Sequence, residues 1–439
     1  MSRHLETTDT RGDHEVAQIG PKQFEIPLDW ETRTIPELCD LSTERFDPEE
    51  HDSETFEYID IDSVSTGRIE RSKTTPVDEA PSRAKQIVHE GDTLVGKVRP
   101  YLQAFAPVTE EHDGKVCSTG FAVLSARDGV SAAYVTQAVL SKYFLDQMTN
   151  RMTGTSYPAV NKSDFENVQL FTPPLSEQRR IADVLSTVDR RVQEVDDAIE
   201  ETDELKRGLM QDLLVQGIGH DEYVELYLGP RRLKIPAEWR MARLENVTEI
   251  ITRGKQPAYV EEGGVPVLNQ SCIYWDGFHP EELNRLDAEV ASGWKDKYWV
   301  KNGDVLINST GKGTLGRALE WTNESDTHAL DSHITRVHPD DSVLDPTYLR
   351  FYLESNHGQK MLYAFCVAGS TGQIELSKTD LQTMPILLPP IEEQREISEA
   401  FHRVNQKMQD EQETKEAYQE LKRGLMQDLL TGKRRLETE

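Results

Sequence analysis

Apolar residues between 181 and 213 recur in alternating steps of four and three. Ile181, Leu185, Val188, Val192, Val195 and Ile199 are followed by Leu205, Leu209 and Leu213, with mostly charged and polar residues between them. This is the spacing of a coiled-coil seam, and it predicts one long helix. A second run places Ile397, Phe401, Val404, Leu421, Leu425 and Leu429 at corresponding positions. Laid over 173–214 without a gap, 389–430 gives 20 identities in 42, and LKRGLMQDLL stands unchanged at 205–214 and 421–430. Glu411 and Lys415 replace Val195 and Ile199, so the middle of the second helix is expected to be more solvated. Pro173–Pro174 and Pro389–Pro390 end whatever precedes each helix. Ser176, beside Glu177 and Gln178, suits a helix start, because a hydroxyl can cap open backbone donors.

Elsewhere the apolar runs are short. Thr93–Val95, Val305–Ile307 and Ile386–Leu388, bounded by Gly, Asp and Pro, read as strands, whereas 134–148 and 346–362 read as amphipathic helices. Three stretches echo one another: IPLDW (26–30) with IPAEW (235–239), EGDTLVGKVRPYL (90–102) with NGDVLINSTGKGTLG (302–316), and 156–174 with 372–390. The expected fold class is mixed α/β (α+β): two globular domains on one plan, with two long helices forming an antiparallel coiled coil and an internal pseudo-two-fold repeat. The boundaries read as a polar tail 1–23, a first domain 24–172, a central helix 173–217, a second domain 218–388, a C-terminal helix 389–434 and a tail 435–439. A helix of about 38 residues is ~57 Å long and needs a partner helix. The duplication makes the other copy in the same chain that partner, in preference to a second chain.

Of 439 residues, 36 % are hydrophobic, which is enough for real cores under a very polar surface. No stretch approaches eighteen consecutive apolar residues and the start carries no apolar signal core, so a cytoplasmic protein without membrane contact is expected. Cys39, Cys117, Cys272 and Cys366 are scattered singly; they read as buried hydrophobes, with no metal site. The 78 acidic residues outweigh 49 basic ones, for a net charge of −29. That sign opposes DNA binding, which draws on neutralised phosphates. An acidic surface spread over the whole chain instead resembles proteins of salt-loving archaea, where screening shortens to ~3 Å or less and net charge says little about partners.

Enzymatic readings fail on their residues. GKGTLG (311–316) fits G-x-G-x-x-G after a strand, but the polar, broken segment that follows cannot open a packed crossover helix. It is no P-loop either, since Gly313 follows Lys312 where Ser or Thr is needed. TPPL (172–175) and LPPI (388–391) mimic the loop of adenine methyltransferases. Thr172 and Leu388, however, cannot hold an exocyclic amine, and Leu175 and Ile391 cannot stack on a flipped base. No catalytic residue is assigned.

The chain resembles the specificity subunits of type I restriction-modification systems over nearly its whole length. PPLSEQRRIADVL, PPIEEQREISEAF, the two LKRGLMQDLL endings, NGDVLINSTGKGTLGR and STGQIELSKTDL carry the resemblance. GKVRPYLQAFAP and GTSYPAVNKSDF depart from it, so the second domain matches better than the first. The resemblance implies a non-catalytic DNA reader with two target-recognition domains. Its implied partners are double-stranded DNA, two modification subunits and up to two restriction subunits. It also implies no cofactor on this chain: S-adenosylmethionine belongs to the modification subunit, and ATP and Mg to the restriction subunit. The alternatives are a scaffold or DNA-mimicking inhibitor, and a self-contained methyltransferase.

Loop positions that combine glycine, hydroxyls and cations are the candidate DNA contacts, because glycine admits close approach while hydroxyls and cations fix phosphates. They are Lys97, Arg99, Tyr101, Thr155, Ser156, Tyr157 and Lys162 in the first domain. In the second they are Ser309, Thr310, Lys312, Thr314 and Arg317, with Ser370, Thr371 and Gln373 added on the family plan. The seam residues and the identical decapeptides are the candidates for helix packing and subunit docking. There Leu209, Leu213, Leu425 and Leu429 read as core, and Lys206, Arg207, Lys422 and Arg423 as exposed.

Overall fold

The repeated segments are two long helices, a central one over Leu175–Gln216 and a C-terminal one over Ile391–Leu429. The computed structural model describes residues 14–20, 22–41, 44–228, 231–323, 327–368 and 374–436. It separates into two units: Met1–Asp196 with Glu413–Glu439, and Asp197–Gln412. Each unit therefore takes one recognition-type domain and a part of both helices.

In the first unit Thr93–Gly96 is an inner strand of an antiparallel sheet ordered Phe105–Pro107, Thr93–Gly96, Phe121–Ala126, Cys39–Asp40. A second sheet contains the parallel pair Thr55–Ile59 and Val116–Ser118, and Glu31–Thr34 pairs with Gln169–Thr172 just before the central helix. The second unit repeats this order. Asp304–Asn308 lies between Ala318–Trp321 and Ile334–Pro339, with Thr248–Arg253 at the far edge. Val265–Leu268 and Ala329–Leu330 form the parallel pair, and Arg240–Arg243 pairs with Pro385–Leu388. The three expected strands are thus present.

The two expected amphipathic helices are each broken in two, into Ala132–Val139 and Lys142–Asn150, and into Pro346–Glu354 and Asn356–Phe365. The cause is a serine at each break. Ser141 Oγ donates to the Ala138 carbonyl (2.6 Å) and accepts from the Phe144 amide; Ser355 Oγ does the same with Tyr352 (2.6 Å) and Gly358. Each hydroxyl closes one helix and caps the next.

Two boundaries move. The polar tail does not extend to residue 23, because His14–Ile19 pairs with Lys22–Pro27 in a hairpin whose Ile19 and Ile26 enter the core. Residues 435 and 436 are not a tail either. Leu436 is buried in the same core, and the Arg435 guanidinium bonds both Asp29 oxygens (2.9 and 2.8 Å) and both Glu177 oxygens (3.1 and 2.6 Å).

Within the first unit the two helix segments run antiparallel. Lys415 Nζ lies 2.6 Å from Asp196 and Lys422 Nζ lies 2.5 Å from Asp189, so seven residues up one helix is seven down the other. In the second unit Thr202 donates to Glu411. The polar substitutions in the second seam therefore make cross-helix pairs. Ile181, Leu185, Leu429 and Leu430 join the core of the first unit, and Leu214, Ile397 and Phe401 that of the second, where Phe401 stacks on Phe351 at 4.4 Å.

The decapeptide keeps most of the expected inward stripe, since Leu209, Leu213, Leu425 and Leu429 pack against the cores and Arg207 and Arg423 are exposed, but its first two residues depart from it. Leu205 and Leu421 are 51 % and 50 % exposed, while Lys206 and Lys422 are partly buried. Four residues turn ~400°, so leucines in successive steps of four drift off a straight stripe. Positions 206, 209, 210, 213 and 214 keep to the helix period instead. The Lys206 ammonium rests 5.7 Å from the centre of the Phe351 ring, and burial pulls its pKa down.

The PP-x-x-E-Q motif acts through its last two residues. Ser176 is exposed inside the first turn, which opens with the Gln178 amide donating to the Pro174 carbonyl, so it is not the cap. Gln178 accepts from the Ser131 amide and donates to the Pro173 carbonyl; Gln394 does the same with Asp345 and Pro389. The indoles of Trp30 and Trp239, from the two IPxxW stretches, donate to Glu177 (3.1 Å) and Glu393 (2.9 Å). What completes each carboxylate differs: Arg435 in the first unit, His220 at 2.7 Å in the second.

Candidate nucleic-acid interface

The inner strands Thr93–Gly96 and Asp304–Asn308 each begin at a Gly-Asp turn and end in a polar loop. The loops start with the same backbone pattern. Lys97 N–H donates to Gly120 (2.9 Å) and its carbonyl accepts from Val160 (2.9 Å); Ser309 N–H donates to His333 (2.8 Å) and its carbonyl accepts from Leu376 (2.8 Å). Lys97 and Ser309 are therefore equivalent positions. Two residues on, Arg99 (φ 47°) and Gly311 (φ 94°) both take the left-handed conformation that favours glycine. The two loops thus leave their strands alike and carry unlike side chains in the two units.

In the first unit the sequence candidates gather. The loops 97–103 and 153–162 are bridged at Val98 and Ala159, and the Arg99 amide donates to the Pro158 carbonyl (2.8 Å). The Arg99 guanidinium lies 4.6 Å over the Tyr157 ring and contacts the Ser156 carbonyl. Lys97 is partly buried, and desolvation lowers its ammonium pKa, with the Lys162 charge acting in the same direction and Cys117 against it. Thr155, Ser156 and Lys162 are exposed, and Lys162 pairs with Glu166 at 3.7 Å. Tyr101 and Tyr157 are 47 % and 73 % exposed.

In the second unit the candidates divide. Ser309 is buried, its hydroxyl 2.6 Å from that of Thr335 across the sheet, so it holds strands together. Arg317 stacks 4.8 Å from the centre of the Tyr274 ring and donates to the Gly313 and Ile273 carbonyls, which ties the loop to the segment 273–274. Thr314 closes the same turn on the Thr310 carbonyl. Thr310 and Lys312 remain at the surface, and Lys312 is exposed. GKGTLG leads into the strand Ala318–Trp321, not into a helix that could receive phosphates. Ser370, Thr371 and Gln373 lie outside the described residues.

The structure adds residues that the pattern did not single out. Gln270 and His333 both bond the Thr310 hydroxyl (3.0 and 2.8 Å), and Arg253 reaches Glu375 beside them. They come from three separate segments, and no spacing in the chain links them. Leu102, 60 % exposed, and Gln103, left-handed at φ 51°, join the first-unit loop. Their only sequence signal is a bulky apolar pair, Tyr-Leu, in a turn.

Comparison with known proteins gives consistent relatives. The family model described as type I restriction modification DNA specificity domain matches residues 27–201 and 236–422. The chain is 27 % identical over 312 residues to the type I restriction enzyme MjaVIII specificity subunit of Methanocaldococcus jannaschii, covering 68 % of this chain and 69 % of that protein. It is 24 % identical over 441 residues to the putative MjaX specificity subunit of the same organism, covering 94 % and 96 %. A chain from a solved structure concerned with the assembly and conformational transition of the type I R-M system is similar at a TM-score of 0.57 and 27 % identity, over 93 % of this chain and 99 % of that one. The S subunit from M. genitalium shares the fold at a TM-score of 0.55 with 14 % identity, over 91 % and 96 %.

Proposed function

This chain belongs to the type I restriction-modification DNA specificity family, and from that premise we propose that each of its halves reads one part of a bipartite, asymmetric DNA site. The chain is the DNA-recognition component of such a system and is not its catalytic subunit. The observation that carries the two-part reading is the pair of equivalent loops. Lys97–Gln103 and Ser309–Arg317 leave the same strand position on the same backbone bonds, yet present different side chains. Two such loops suit two unlike half-sites, with cations and hydroxyls for phosphates and the exposed groups for base edges.

The further partners follow as proposals. The two helices set the distance between half-sites, and their repeated surfaces dock two modification subunits, an arrangement suited to an internal repeat. Methyl transfer uses S-adenosylmethionine on the modification subunit, and cleavage uses ATP and Mg on up to two restriction subunits. The net charge of −29 fits a cytoplasm rich in salt, such as that of a halophilic archaeon. Among the described residues no helix is long and apolar enough to cross a membrane.

The test is reconstitution. The purified chain with S-adenosylmethionine and DNA transfers no methyl group; together with its modification subunit it methylates one sequence, identified by methylome sequencing of the source cell. Methylation by the chain alone would sink the reading, as would a complex that retains no particular duplex.

A further inference from the structure

The strongest unexplained feature is the turn at Arg99–Gln103. Arg99 and Gln103 are the non-glycine residues with positive φ among the described residues, and they flank a single turn, Pro100–Leu102. Left-handed backbone is costly for residues with a Cβ and persists only where the surroundings enforce it. Here they do. The Arg99 amide is held by Pro158, the Leu102 amide by Arg99, and the Gln103 amide by Pro100, while the Gln103 carbonyl accepts from the Phe105 amide and the Thr66 hydroxyl.

The second unit shows that the fold does not require this arrangement. Its equivalent of Arg99 is Gly311, which is also at positive φ (94°) but has no side chain to strain. The first unit keeps arginine there, and the held turn pushes Tyr101 and Leu102 side by side into solvent. The turn rests on the helix Lys142–Asn150 of the same unit and still leaves Tyr101 and Leu102 47 % and 60 % exposed. Beside the turn are Lys97 and Arg99, the latter over the Tyr157 ring, in a chain of net charge −29, while Lys162 is paired with Glu166 at 3.7 Å.

From these observations, and resting on the DNA-reading function above, we infer that Tyr101 and Leu102 form an apolar wedge that enters a base step of the half-site read by the first domain. Side chains of this kind unstack a step and kink the duplex, which reads sequence through deformability. The flanking cations hold the adjacent phosphates, and Arg99 fixes the tip by stacking on Tyr157.

The experiment uses the complex of this chain with its modification subunit, on duplexes bearing the methylated site and a single 2-aminopurine at each position in turn. With the unaltered chain, one step in the first half-site brightens on binding. With Tyr101→Ser/Leu102→Ser that brightening disappears, binding weakens about tenfold, as for loss of one stacked base, and the salt dependence is unchanged. Brightening at the methylated adenine, which base flipping produces, persists in the variant. Arg99→Gly, which the backbone accepts, leaves the thermal midpoint equal or higher but reduces the same signal. Specific binding with no brightened step outside the methylated adenine overturns the wedge and leaves DNA reading intact. A double variant that binds DNA normally but fails to assemble with the modification subunit makes the tip a protein-docking surface, which also overturns it. Failure of the unaltered complex to select any duplex removes the functional reading itself.

Discussion

Cys39, Cys117, Cys272 and Cys366 are buried and unpaired. Burial raises the thiol pKa of Cys39, Cys117 and Cys366 to about 12 and that of Cys272 to about 11. Because the thiolate is the reactive form, a disulfide reagent at pH 8 should label none of them in the folded chain and all four after unfolding. A fast-reacting thiol in the native state would show that one of these cores opens. Their role as small hydrophobes was legible from their isolation in the sequence. The orientation of polar loop residues was not. Ser309, Thr310, Lys312 and Arg317 look alike as loop candidates, yet Ser309 is sealed by Thr335 and Arg317 is bound to Gly313 and to the distant Ile273. What distinguishes them is a partner brought from a distant strand, which no local pattern encodes. Arg99 is the reverse case: its left-handed backbone becomes visible only beside Gly311.

At the scale of elements, the two long helices were legible because helical periodicity is local, and so were the inner strands after their Gly-Asp turns. The ends of the helices were not, because long-range bonds define them. Arg435 looks like part of a charged tail, but it joins Asp29 to Glu177, a nearly buried carboxylate that also receives the Trp30 indole. Removing one member of such a cluster leaves the Glu177 charge with less compensation. Arg435→Ala is therefore expected to destabilise the first unit by about 2 kcal/mol, below the ~3–5 kcal/mol of a fully buried broken pair because the guanidinium is partly exposed. A shortened chain ending at residue 434 should lose at least as much, since Leu436 leaves the core as well. Denaturant midpoints unchanged by either alteration would show that the contact contributes nothing. In the second unit His220 holds the equivalent carboxylate of Glu393, so the same motif is closed by a different residue type. That is why the alignment of the two copies stops being informative just past the decapeptides.

The whole molecule carries two consequences. A net charge of −29 repels itself in dilute buffer, and screening at ~1 M salt shortens the reach of that repulsion to ~3 Å. Helical signal and monodispersity should therefore rise as KCl goes from dilute to molar, and full folding in dilute buffer would count against adaptation to salt. The second consequence is geometric and follows from the proposal that the paired helices act as a spacer. A rigid spacer fixes both the distance and the rotation between two half-sites. Inserting one base pair between them shifts one half-site by ~3.4 Å and turns it by ~35°. A spacer rigid along its whole length, as the pairs Lys415–Asp196 and Lys422–Asp189 hold it within the first unit, could not follow that rotation without breaking contacts. The target is then two short sequences separated by a gap of one length, and methylation by the reconstituted complex should collapse when the gap changes by a single pair. The measurement is a series of duplexes with both half-sites intact and the gap varied by one and two pairs in each direction. Undiminished methylation across the series would mean that the helices yield, and the repeat would then need another explanation than the spacing of half-sites.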